Sequence, residues 1–435
     1  MKKKLYFITI TIMLMVAVFP RYAKSKGFDI EDVTIYAAGS YSEDIAPVIF
    51  GCNDHLYKGY IDKNGELLFY IEWNYKDDYE QEFWKVLDWD YDNLNSLTFE
   101  NGYSWFDRDE KRYIIDTKGE IVSSYELKDV LCTGEGYTWV IIKGETSWNA
   151  PGGYSFVLYK PNGEIETSLD FDSDSYEAWN SRDELEKYDF YYLGEGTFTN
   201  SEFSKFYFVK TGKWMKYNMD YNVKDLLSFA DNNFSVLSLK DNVCNIINAE
   251  GIVQRLDIPE LSWRASVKGI SKNYILFLDQ NGYGKEIYRI FDMQERKLDR
   301  YEGKAWAYIN PIEHSEINND YFAFAIKGVD RREYVALINN NTLEDACDPI
   351  YINDSDAFVL KQDVLIVTKD DETQLIDFQG NILSTYGNED TIFVKDGIVA
   401  CKFEGGGAGY YLYDGTRLFG EYDFSNAIDL ETMIN

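Results

Sequence analysis

A phrase made of a strand, a polar turn closed by glycine and a second strand recurs along the chain, and it constrains the fold more than any other feature. Its clearest copy is "YIDKNGELLF", which begins at Tyr60. The turn needs a residue with positive φ, and glycine reaches that conformation without a Cβ clash. Seven copies keep the glycine and two, near Arg296 and Thr342, lack it; the glycines are Gly65, Gly119, Gly163, Gly212, Gly251, Gly380 and Gly415. Asn64, Asn162 and the aspartates beside these turns are expected to bond their own backbone.

The spacing of the copies predicts the architecture. Successive copies lie 35 to 54 residues apart, with a mean of about 44, and one four-stranded propeller blade takes roughly 40 to 50 residues. We therefore predict an all-β fold: a β-propeller-like array of about eight (seven to nine) antiparallel four-stranded blades, in one domain over residues 27–435. Because nine anchors exceed the usual four to eight blades, one anchor could belong to a shared closing blade or to an appended hairpin.

Uninterrupted apolar runs support this arrangement. Examples are "TWVII" from Thr138, "YILFL" from Tyr274, "YFAFAI" from Tyr321 and "VLIV" from Val364. A strand with one solvated face alternates polar and apolar residues, whereas a strand buried on both faces does not. The runs predict strands sandwiched between neighbouring blades.

Three segments resemble the units of the WG-repeat family. The closest is "KGYIDKNGEL" from Lys58, and both halves of a unit are matched from Phe99 and from Phe393. The Trp-Gly pair of the family is intact nowhere, and Lys58-Gly59 stands in its place at the first copy. The resemblance implies a noncatalytic repeat scaffold and transfers no catalytic residue.

The N-terminus is typical of an export signal. Lys2, Lys3 and Lys4 precede an apolar run from Leu5 to Phe19, which is too short for a dedicated membrane-spanning helix of about 20 residues. We predict a signal peptide over residues 1–26 and a secreted or cell-surface protein. An uncleaved N-terminal anchor remains the alternative, because only Ala23 offers a small residue before the cut.

The charge of the chain limits its partners. The net charge is −32, and without residues 1–26, which carry six basic and no acidic groups, it is about −38. Such a field repels nucleic acid and anionic lipid headgroups. Cationic partners, cations and neutral ligands remain, as does a role of the charge in solubility alone.

The five cysteines are scattered and odd in number, with no C-x-x-C pair; they are Cys52, Cys132, Cys244, Cys347 and Cys401. We expect no disulfide framework and no zinc knuckle. Cys244 and Cys401 lie in apolar runs, where a small buried thiol is the usual role.

Two acidic stretches have the D-x-D-x-D spacing of calcium loops, and both fail the rest of the pattern. From Asp88, Asp90 and Asp92 the twelfth position is Phe99, where an EF-hand-type loop needs a bidentate acid. From Asp170, Asp172 and Asp174 the sixth and twelfth positions are serines. Solvated acidic turns explain them, and we predict no metal site and no cofactor.

Catalytic motifs are scarce. His55 and His314 are the only histidines, no G-x-S-x-G elbow accompanies them, and "EGGGAG" from Glu404 lacks the ending of a phosphate loop. We expect surface roles for the histidines, a hairpin loop at Glu404, no catalytic residue and no enzyme. A carboxylate pair for glycoside hydrolysis remains open in a chain with 75 acids.

Several tryptophans lie near acidic residues and could stack on sugar rings or anchor a protein, or could simply fill blade interfaces; they are Trp84, Trp89, Trp105, Trp148 and Trp179. Long inserts, Asn74 to Asn93 and Asp170 to Phe190, carry several of them, and Ser181 opens a capping-box pattern in the second. We predict a secreted noncatalytic scaffold that binds a protein or glycan ligand. The alternative is an extracellular glycan-active hydrolase, and a purely structural envelope protein is a third reading.

Overall fold

The fold is taken from a computed structural model of the chain. It describes residues 28, 33–53, 55–73, 97–143, 154–170, 190–194, 196–200, 205–216, 234–240, 242–248, 250–270, 273–280, 286–300, 310–317, 320–327, 330–339, 342–352, 357–361, 363–369, 372–387, 391–403, 407–419, 422–424 and 427–434. These residues form almost only β-strands, as predicted.

The described strands make nine small sheets in chain order, and the first three contain eleven consecutive strands. Sheet 1 contains β1 (Thr34–Ala38), β2 (Ile45–Cys52), β3 (His55–Asp62) and β4 (Leu67–Glu72). Sheet 2 contains β5 (Tyr103–Arg108), β6 (Lys111–Asp116) and β7 (Ile121–Glu126), and a short 3-10 helix follows at Leu127–Asp129. Sheet 3 contains β8 (Val130–Gly134), β9 (Tyr137–Lys143), β10 (Tyr154–Tyr159) and β11 (Ile165–Asp170).

The next three sheets repeat the same antiparallel order. Sheet 4 contains β12 (Phe190–Gly194), β13 (Thr197–Asn200), β14 (Lys205–Phe208) and β15 (Lys213–Lys216). Sheet 5 contains β16 (Phe234–Lys240), β17 (Val243–Asn248) and β18 (Val253–Asp257). Sheet 6 contains β19 (Ser266–Ile270), β20 (Tyr274–Gln280), β21 (Glu286–Asp292) and β22 (Lys297–Arg300).

The last three sheets complete the series. Sheet 7 contains β23 (Asn310–Ile317), β24 (Tyr321–Lys327), β25 (Glu333–Asn339) and β26 (Ile350–Ile352). Sheet 8 contains β27 (Ala357–Leu360), β28 (Leu365–Thr368), β29 (Glu372–Ile376) and β30 (Ile382–Gly387). Sheet 9 contains β31 (Thr391–Lys395), β32 (Ile398–Lys402) and β33 (Ala408–Leu412). Strand β34 (Ile428–Asp429) and helix α1 (Glu431–Ile434) end the described chain.

The repeated phrase corresponds to the last hairpin of sheets 1 to 8, and in sheet 9 the turn at Gly415 follows β33 and is closed by an isolated bridge between Tyr411 and Arg417. All seven glycines have positive φ, from 60° at Gly212 to 86° at Gly380. In the two copies without glycine, Arg296 (φ 55°) and Leu343 (φ 58°) take the left-handed conformation instead. The predicted repeat is therefore confirmed, including its two degenerate copies. The predicted number of about eight blades stays a prediction, since the nine described sheets contain between three and five strands each.

Side chains at the start of these turns hold the reversal. Asp62 Oδ1 accepts hydrogen bonds from the backbone amides of Asn64 and Glu66, at 2.8 and 2.9 Å. Asn162 plays the same part and accepts from the amide of Glu164 at 3.1 Å. The prediction for Asn64 was wrong: its side chain donates to Asp62 Oδ2 rather than bonding its own backbone.

The apolar runs are buried on both faces because alternate residues of one strand contact different neighbouring sheets. In β20, Ile275 and Phe277 pack in a cluster with sheet 5, while Leu276 and Leu278 pack with sheet 7. Strand β24 divides in the same way, and its alanines face sheet 8. The core is thus a set of sheet-to-sheet layers, as the sequence predicted.

The sheets are arranged around an axis and the first meets the last. The first strands of successive sheets lie near one another, for example β8 near β12 and β19 near β23. Strand β1 lies near β32 and β33 of sheet 9, and residues of sheets 1 and 9 share one apolar cluster. This arrangement of closed, face-packed small sheets is β-propeller-like.

The C-terminal segment joins the last sheet to the first. The amide of Leu418 donates to the carbonyl of Tyr410 in sheet 9 at 2.9 Å, and β34 further along belongs to sheet 1. Strand β34 pairs in parallel with β4, with Ile428 opposite Phe69. Leu430 is 1% exposed, and its amide donates to the carbonyl of Tyr70 at 2.8 Å. Arg108 Nη2 donates to Glu431 Oε1 at 2.6 Å, which ties α1 to sheet 2. Strand β34 is thus a fifth strand on sheet 1 and lies beyond the last of the nine anchors. Whether one anchor belongs to a shared closing blade or an appended hairpin stays a prediction.

Antiparallel order divides the connections between two faces of the ring. Connections from strand 1 to 2 and from strand 3 to 4 lie on one face, which we call the turn face. Connections from strand 2 to 3, and from strand 4 to the next sheet, lie on the other, which we call the loop face. Strands β4 and β11 are fourth strands that end at the loop face. The long inserts that follow them, Asn74 to Asn93 and Asp170 to Phe190, lie outside the described residues except for Asp170 and Phe190.

No helix within the described residues has the length and apolar character to cross a membrane. All five cysteines belong to the described part, and none of them forms a disulfide there. Cys244 is fully buried, and burial raises the pKa of its thiol to about 12. The predicted signal peptide lies outside the described residues, and the domain limits 27–435 stay a prediction.

Candidate functional site

The first candidate site is a row of carboxylates on the turn face, close to the axis. Glu43 lies in the strand 1 to 2 turn of sheet 1, where it has a φ of 54°. Its Oε1 and Oε2 accept hydrogen bonds from the backbone amide of Gly102, at 3.0 and 2.9 Å. Gly102 lies in the equivalent turn of sheet 2, which begins with the bridge between Glu100 and Tyr103. The carboxylate therefore ties two neighbouring sheets together.

The same contact recurs at the next two junctions. Glu100 accepts a hydrogen bond from the backbone amide of Glu135, in the turn of sheet 3. Glu135 Oε1 in turn accepts from the amide of Gly196 in sheet 4, at 2.9 Å, and from Tyr192 Oη at 2.6 Å. We call Glu43, Glu100 and Glu135 the carboxylate row.

The surroundings of Glu100 favour the protonated form of its carboxyl group. Burial raises the pKa of Glu100, and the nearby charges of Glu135 and Glu43 raise it further, while the Glu135 amide and Lys395 oppose the rise. Burial and the bond to Glu135 also raise the pKa of Tyr192. The arrangement can hold a proton at Glu100, or attract a cationic group.

The second candidate site lies on the loop face, in the connection from sheet 5 to sheet 6. Trp263 is 83% exposed there, more than any other large hydrophobic residue in the described part of the chain. The guanidinium carbon of Arg264 lies 4.6 Å from its ring centroid, a cation–π contact. Arg264 Nη1 also donates to Gln280 Oε1 at 3.3 Å.

The connection that carries Trp263 is fixed to the sheets at several points. Asp279, 1% exposed, accepts from the amide of Ser262 at 3.1 Å and pairs with Arg289 at 3.2 Å. Arg289 Nη1 also donates to the carbonyl of Glu260 at 2.6 Å. A buried acid that is paired with arginine and accepts a backbone amide is typical of a fixed loop base.

The predicted site residues do not come together. His55 is exposed, with Nδ1 2.8 Å from Glu72 Oε1, which agrees with a surface role, and His314 lies in β23. Trp105 is half-buried beneath the guanidinium of Arg112, 3.7 Å away, and packs against a cluster shared with sheet 1. It therefore fills a blade interface.

The remaining motif predictions fall mostly outside the described residues: Trp84, Trp89, Trp148, Trp179, Ser181, Asp88, Asp90, Asp92, Asp172 and Asp174. Asp170 ends β11. Residues 404–406 also lie outside the described residues, between β32 and β33, which pair antiparallel. Within the described residues no group of three or more His, Cys, Asp or Glu side chains could hold a metal ion.

Sequence reasoning missed both candidate sites, although one carried a signal. The strand 1 to 2 turns read "SED" at Ser42, "ENG" at Glu100, "GEG" at Gly134 and "KDG" at Lys395. An acid therefore recurs in this turn of the repeat, and three of these four turns also contain a glycine. Nothing comparable separates Trp263 from the buried Trp139, which is 0% exposed.

No protein-family model matches the chain, and no curated protein matches it. The resemblance to the WG-repeat family therefore stays a prediction. Similar solved structures include the computationally designed Ika8 protein (14% identity, 89% of this chain and 98% of that chain covered, TM-score 0.34). They also include the β-propeller domain of the trilobed protease from Pyrococcus furiosus (9% identity, 91% and 98% covered, TM-score 0.32). A third is the Pan2 WD40 domain of Neurospora crassa (12% identity, 64% and 85% covered, TM-score 0.30). At these TM-scores the likenesses carry no argument, and the fold rests on the sheets and their closure.

Proposed function

We propose that the protein is a noncatalytic binding scaffold, built from degenerate WG-repeat units, which presents a protein or glycan ligand-binding surface on its loop face. The observation that carries this proposal is Trp263. A large apolar side chain that is 83% exposed buries little surface on folding, and rigid loops on a stable framework are where binding residues concentrate.

The connections on the two faces of the ring differ, and the difference favours the loop face as the binding surface. Several described turns of the turn face are short and closed by their own hydrogen bonds, such as Gly65 N to Asp62 O at 3.1 Å. The connection from β25, which ends at Asn339, to β26, which begins at Ile350, is longer. The described strands that precede both long inserts, β4 and β11, end at the loop face. A ring with a tight face and a face of longer connections can vary one surface without disturbing its packing.

We also propose that the protein acts outside the cell or on its surface, because of the export-like N-terminus. Cell fractionation with an antibody against the folded domain would test this. We expect the protein in the medium or the envelope fraction, with residues 1–26 removed in the mature chain. Accumulation in the cytoplasm with its first residue intact would contradict the proposal.

Oxidative footprinting tests which face binds. The full chain is labelled with hydroxyl radicals alone and with an extract of cell-surface proteins and polysaccharides, and modification is read by mass spectrometry. Exposed apolar residues on the two faces form matched sets: Trp263, Ile142 and Leu127 on the loop face, and Ile252, Ile382 and Leu412 on the turn face. We expect protection of the first set. Protection of the second set alone, or of neither, would contradict a binding loop face.

A glycan-active hydrolase is the second candidate, and the carboxylate row is the observation that favours it. Burial and the neighbouring acids raise the pKa of Glu100, which suits a proton donor, and Glu135 provides a second carboxylate on the next turn. Glycoside hydrolysis uses a pair of carboxyl groups. Each of the two carboxylates, however, already accepts the amide of the next turn, which favours a structural role. Release of reducing ends from a polysaccharide panel, abolished by Glu100→Gln, would establish the hydrolase; no release would leave the scaffold.

A further inference from the structure

Trp263 lies on a connection that is folded before any ligand arrives. Two consecutive turns form it: the amide of Leu261 donates to Ile258 O at 3.2 Å, and the amide of Ala265 donates to Ser262 O at 3.1 Å. Ile258 and Leu261 are 1% and 4% exposed and anchor the first turn in the core. A ligand that binds here does not have to order the loop, which lowers the entropic cost of binding.

The neighbouring sheets hold both sides of this connection. Ile258 N donates to the carbonyl of Asn242 at 2.7 Å, and Asn242 Nδ2 donates to the carbonyl of Pro259 at 3.3 Å. On the other side, Asp279 and Arg289 of sheet 6 hold Ser262 and Glu260. The indole is therefore presented from a base fixed on two sheets.

Only one face of the indole is covered. Arg264 stacks over one side of the ring, and the 83% exposure of the side chain leaves the opposite side open. The guanidinium is itself held in place by the bond to Gln280. The open face of the indole is therefore a flat apolar surface, with the planar polar groups of Arg264 and Gln280 beside it.

The surroundings of the ring distinguish the classes of ligand. Among the described residues 254–266, Trp263 is the only exposed large hydrophobic residue, and its neighbours Glu260, Arg264 and Gln280 are polar. A protein partner usually needs a larger apolar patch around such an anchor. One apolar face with hydrogen-bonding groups at its edge suits a pyranose ring, whose C–H face is apolar and whose rim carries hydroxyls. The net charge of −32 further disfavours polyanionic ligands.

We propose that Trp263, with Arg264 and Gln280 at its edge, forms a saccharide-binding subsite that stacks one sugar ring on the open face of the indole. This inference rests on the proposed scaffold function and names the ligand class of its loop face. The indole supplies the stacking surface, and Arg264 and Gln280 supply hydrogen bonds to hydroxyl groups.

Calorimetry and affinity electrophoresis of the full chain test the subsite. The probes are hexaoses of glucose (β-1,4 and β-1,3), xylose, mannose and N-acetylglucosamine. The variants are Trp263→Ala, Trp263→Phe, Arg264→Ala and the control Ile252→Ala, which removes an exposed apolar side chain, 59% exposed, from the turn face. All four substitutions are at the surface and should not disturb the fold. Each variant must therefore have the circular dichroism spectrum and the thermal unfolding of the wild type before its binding is compared.

We expect at least one hexaose to bind the wild type. Trp263→Ala should lower the affinity about tenfold or more, and Arg264→Ala should also lower it. Trp263→Phe should keep part of the affinity, and Ile252→Ala should leave it unchanged. Hexaose binding that Trp263→Ala leaves unchanged would overturn this subsite while supporting the scaffold. Failure of every hexaose, with capture of a protein that depends on Trp263, would overturn the saccharide class and keep the scaffold. Failure of every hexaose and no protection of the loop face by the extract would overturn both.

Discussion

The hydroxyl of Tyr410 donates a hydrogen bond to the carbonyl of Gly39, 3.0 Å away, across 371 residues of sequence. It also lies 3.3 Å from the carbonyl of Pro47. The Tyr410 ring meets the ring of Tyr41 edge-on, with centroids 4.9 Å apart. These contacts join the last sheet to the first, so the apolar flanks of the two terminal sheets cover one another instead of facing water.

Tyr410→Phe should weaken this junction. The change keeps the buried ring and removes the hydroxyl, so the carbonyl of Gly39 loses a buried donor, at a cost of about 1 to 2 kcal/mol. Urea unfolding followed by fluorescence measures the loss. Tyr113→Phe is the control, since this buried tyrosine of β6 stacks on Phe106 and its hydroxyl makes no hydrogen bond within the described residues. Equal stability of the two variants would contradict a specific role for Tyr410.

Asp377 tests the hairpin that defines the repeat. Its Oδ1 accepts from the amides of Gln379 and Asn381, at 2.9 and 2.8 Å. Partial burial raises its pKa, but these bonds and the one from the Asn381 side chain outweigh burial, and the pKa lies below its ordinary value. Asp377→Ala should cost about 1 kcal/mol, as the loss of a cap does, and Asp377→Asn should cost less because it keeps an acceptor.

The acid dependence of Asp377 has a definite sign. Because its pKa is lower in the folded protein than in the unfolded chain, its contribution is complete above the unfolded pKa and is lost as pH falls through the folded pKa. The stability of Asp377→Ala should therefore fall less steeply on acidification than that of the wild type. If the free energy of unfolding of Asp377→Ala and of the wild type fell equally steeply with decreasing pH, the lowered pKa of Asp377 would be contradicted.

Asp279→Asn should loosen the connection that carries Trp263. The change leaves Arg289, whose side chain is 19% exposed, without its counter-charge, at a cost of up to about 3 kcal/mol. Hydrogen exchange of the peptide 258–265 should rise together with the loss in stability. The control is Asp257→Asn in the exposed pair with Arg255, both partners more than 65% exposed, which should change stability by less than about 0.5 kcal/mol. Unchanged exchange in Asp279→Asn would contradict the bracing role.

Glu100→Gln tests the carboxylate row through pH. The raised pKa of Glu100 means that the folded protein holds its proton at pH values where the unfolded chain has lost it, so stability falls as pH rises between the two pKa values. Glutamine keeps an acceptor for the Glu135 amide without the charge. We expect a gain in stability at pH 7 that disappears below about pH 4, the range in which carboxyl groups protonate. The control Glu126→Gln, on β7 at the opposite face, should show no pH-dependent gain in stability. A gain in stability of Glu100→Gln that did not depend on pH would contradict the raised pKa of Glu100.

The sequence predicted the repeat because its signal is local. The positive φ at Gly119 follows from a turn that only a few residues define, and the burial of "YILFL" follows from its missing polar alternation. Even the degenerate copies obeyed the pattern, with Arg296 and Leu343 in the left-handed conformation that glycine takes elsewhere.

The features that escaped prediction depend on distant parts of the chain. Strand β34 has two residues and no periodic pattern, so nothing in its sequence indicates parallel pairing with β4. The bond from Gly102 to Glu43 exists only because two hairpins 59 residues apart meet near the axis. Trp139 and Trp263 differ in exposure through packing, which residue type alone does not reveal.

Ring closure is the central claim, and an aromatic nuclear Overhauser effect measures it most directly. In a perdeuterated chain with protonated tyrosines, we predict a cross-peak between Tyr41 and Tyr410, assigned by its loss in Tyr41→Phe. Tyr57 and Tyr70, with centroids 5.6 Å apart within sheet 1, provide the internal reference. Presence of the reference peak without the Tyr41–Tyr410 peak would contradict the closed ring.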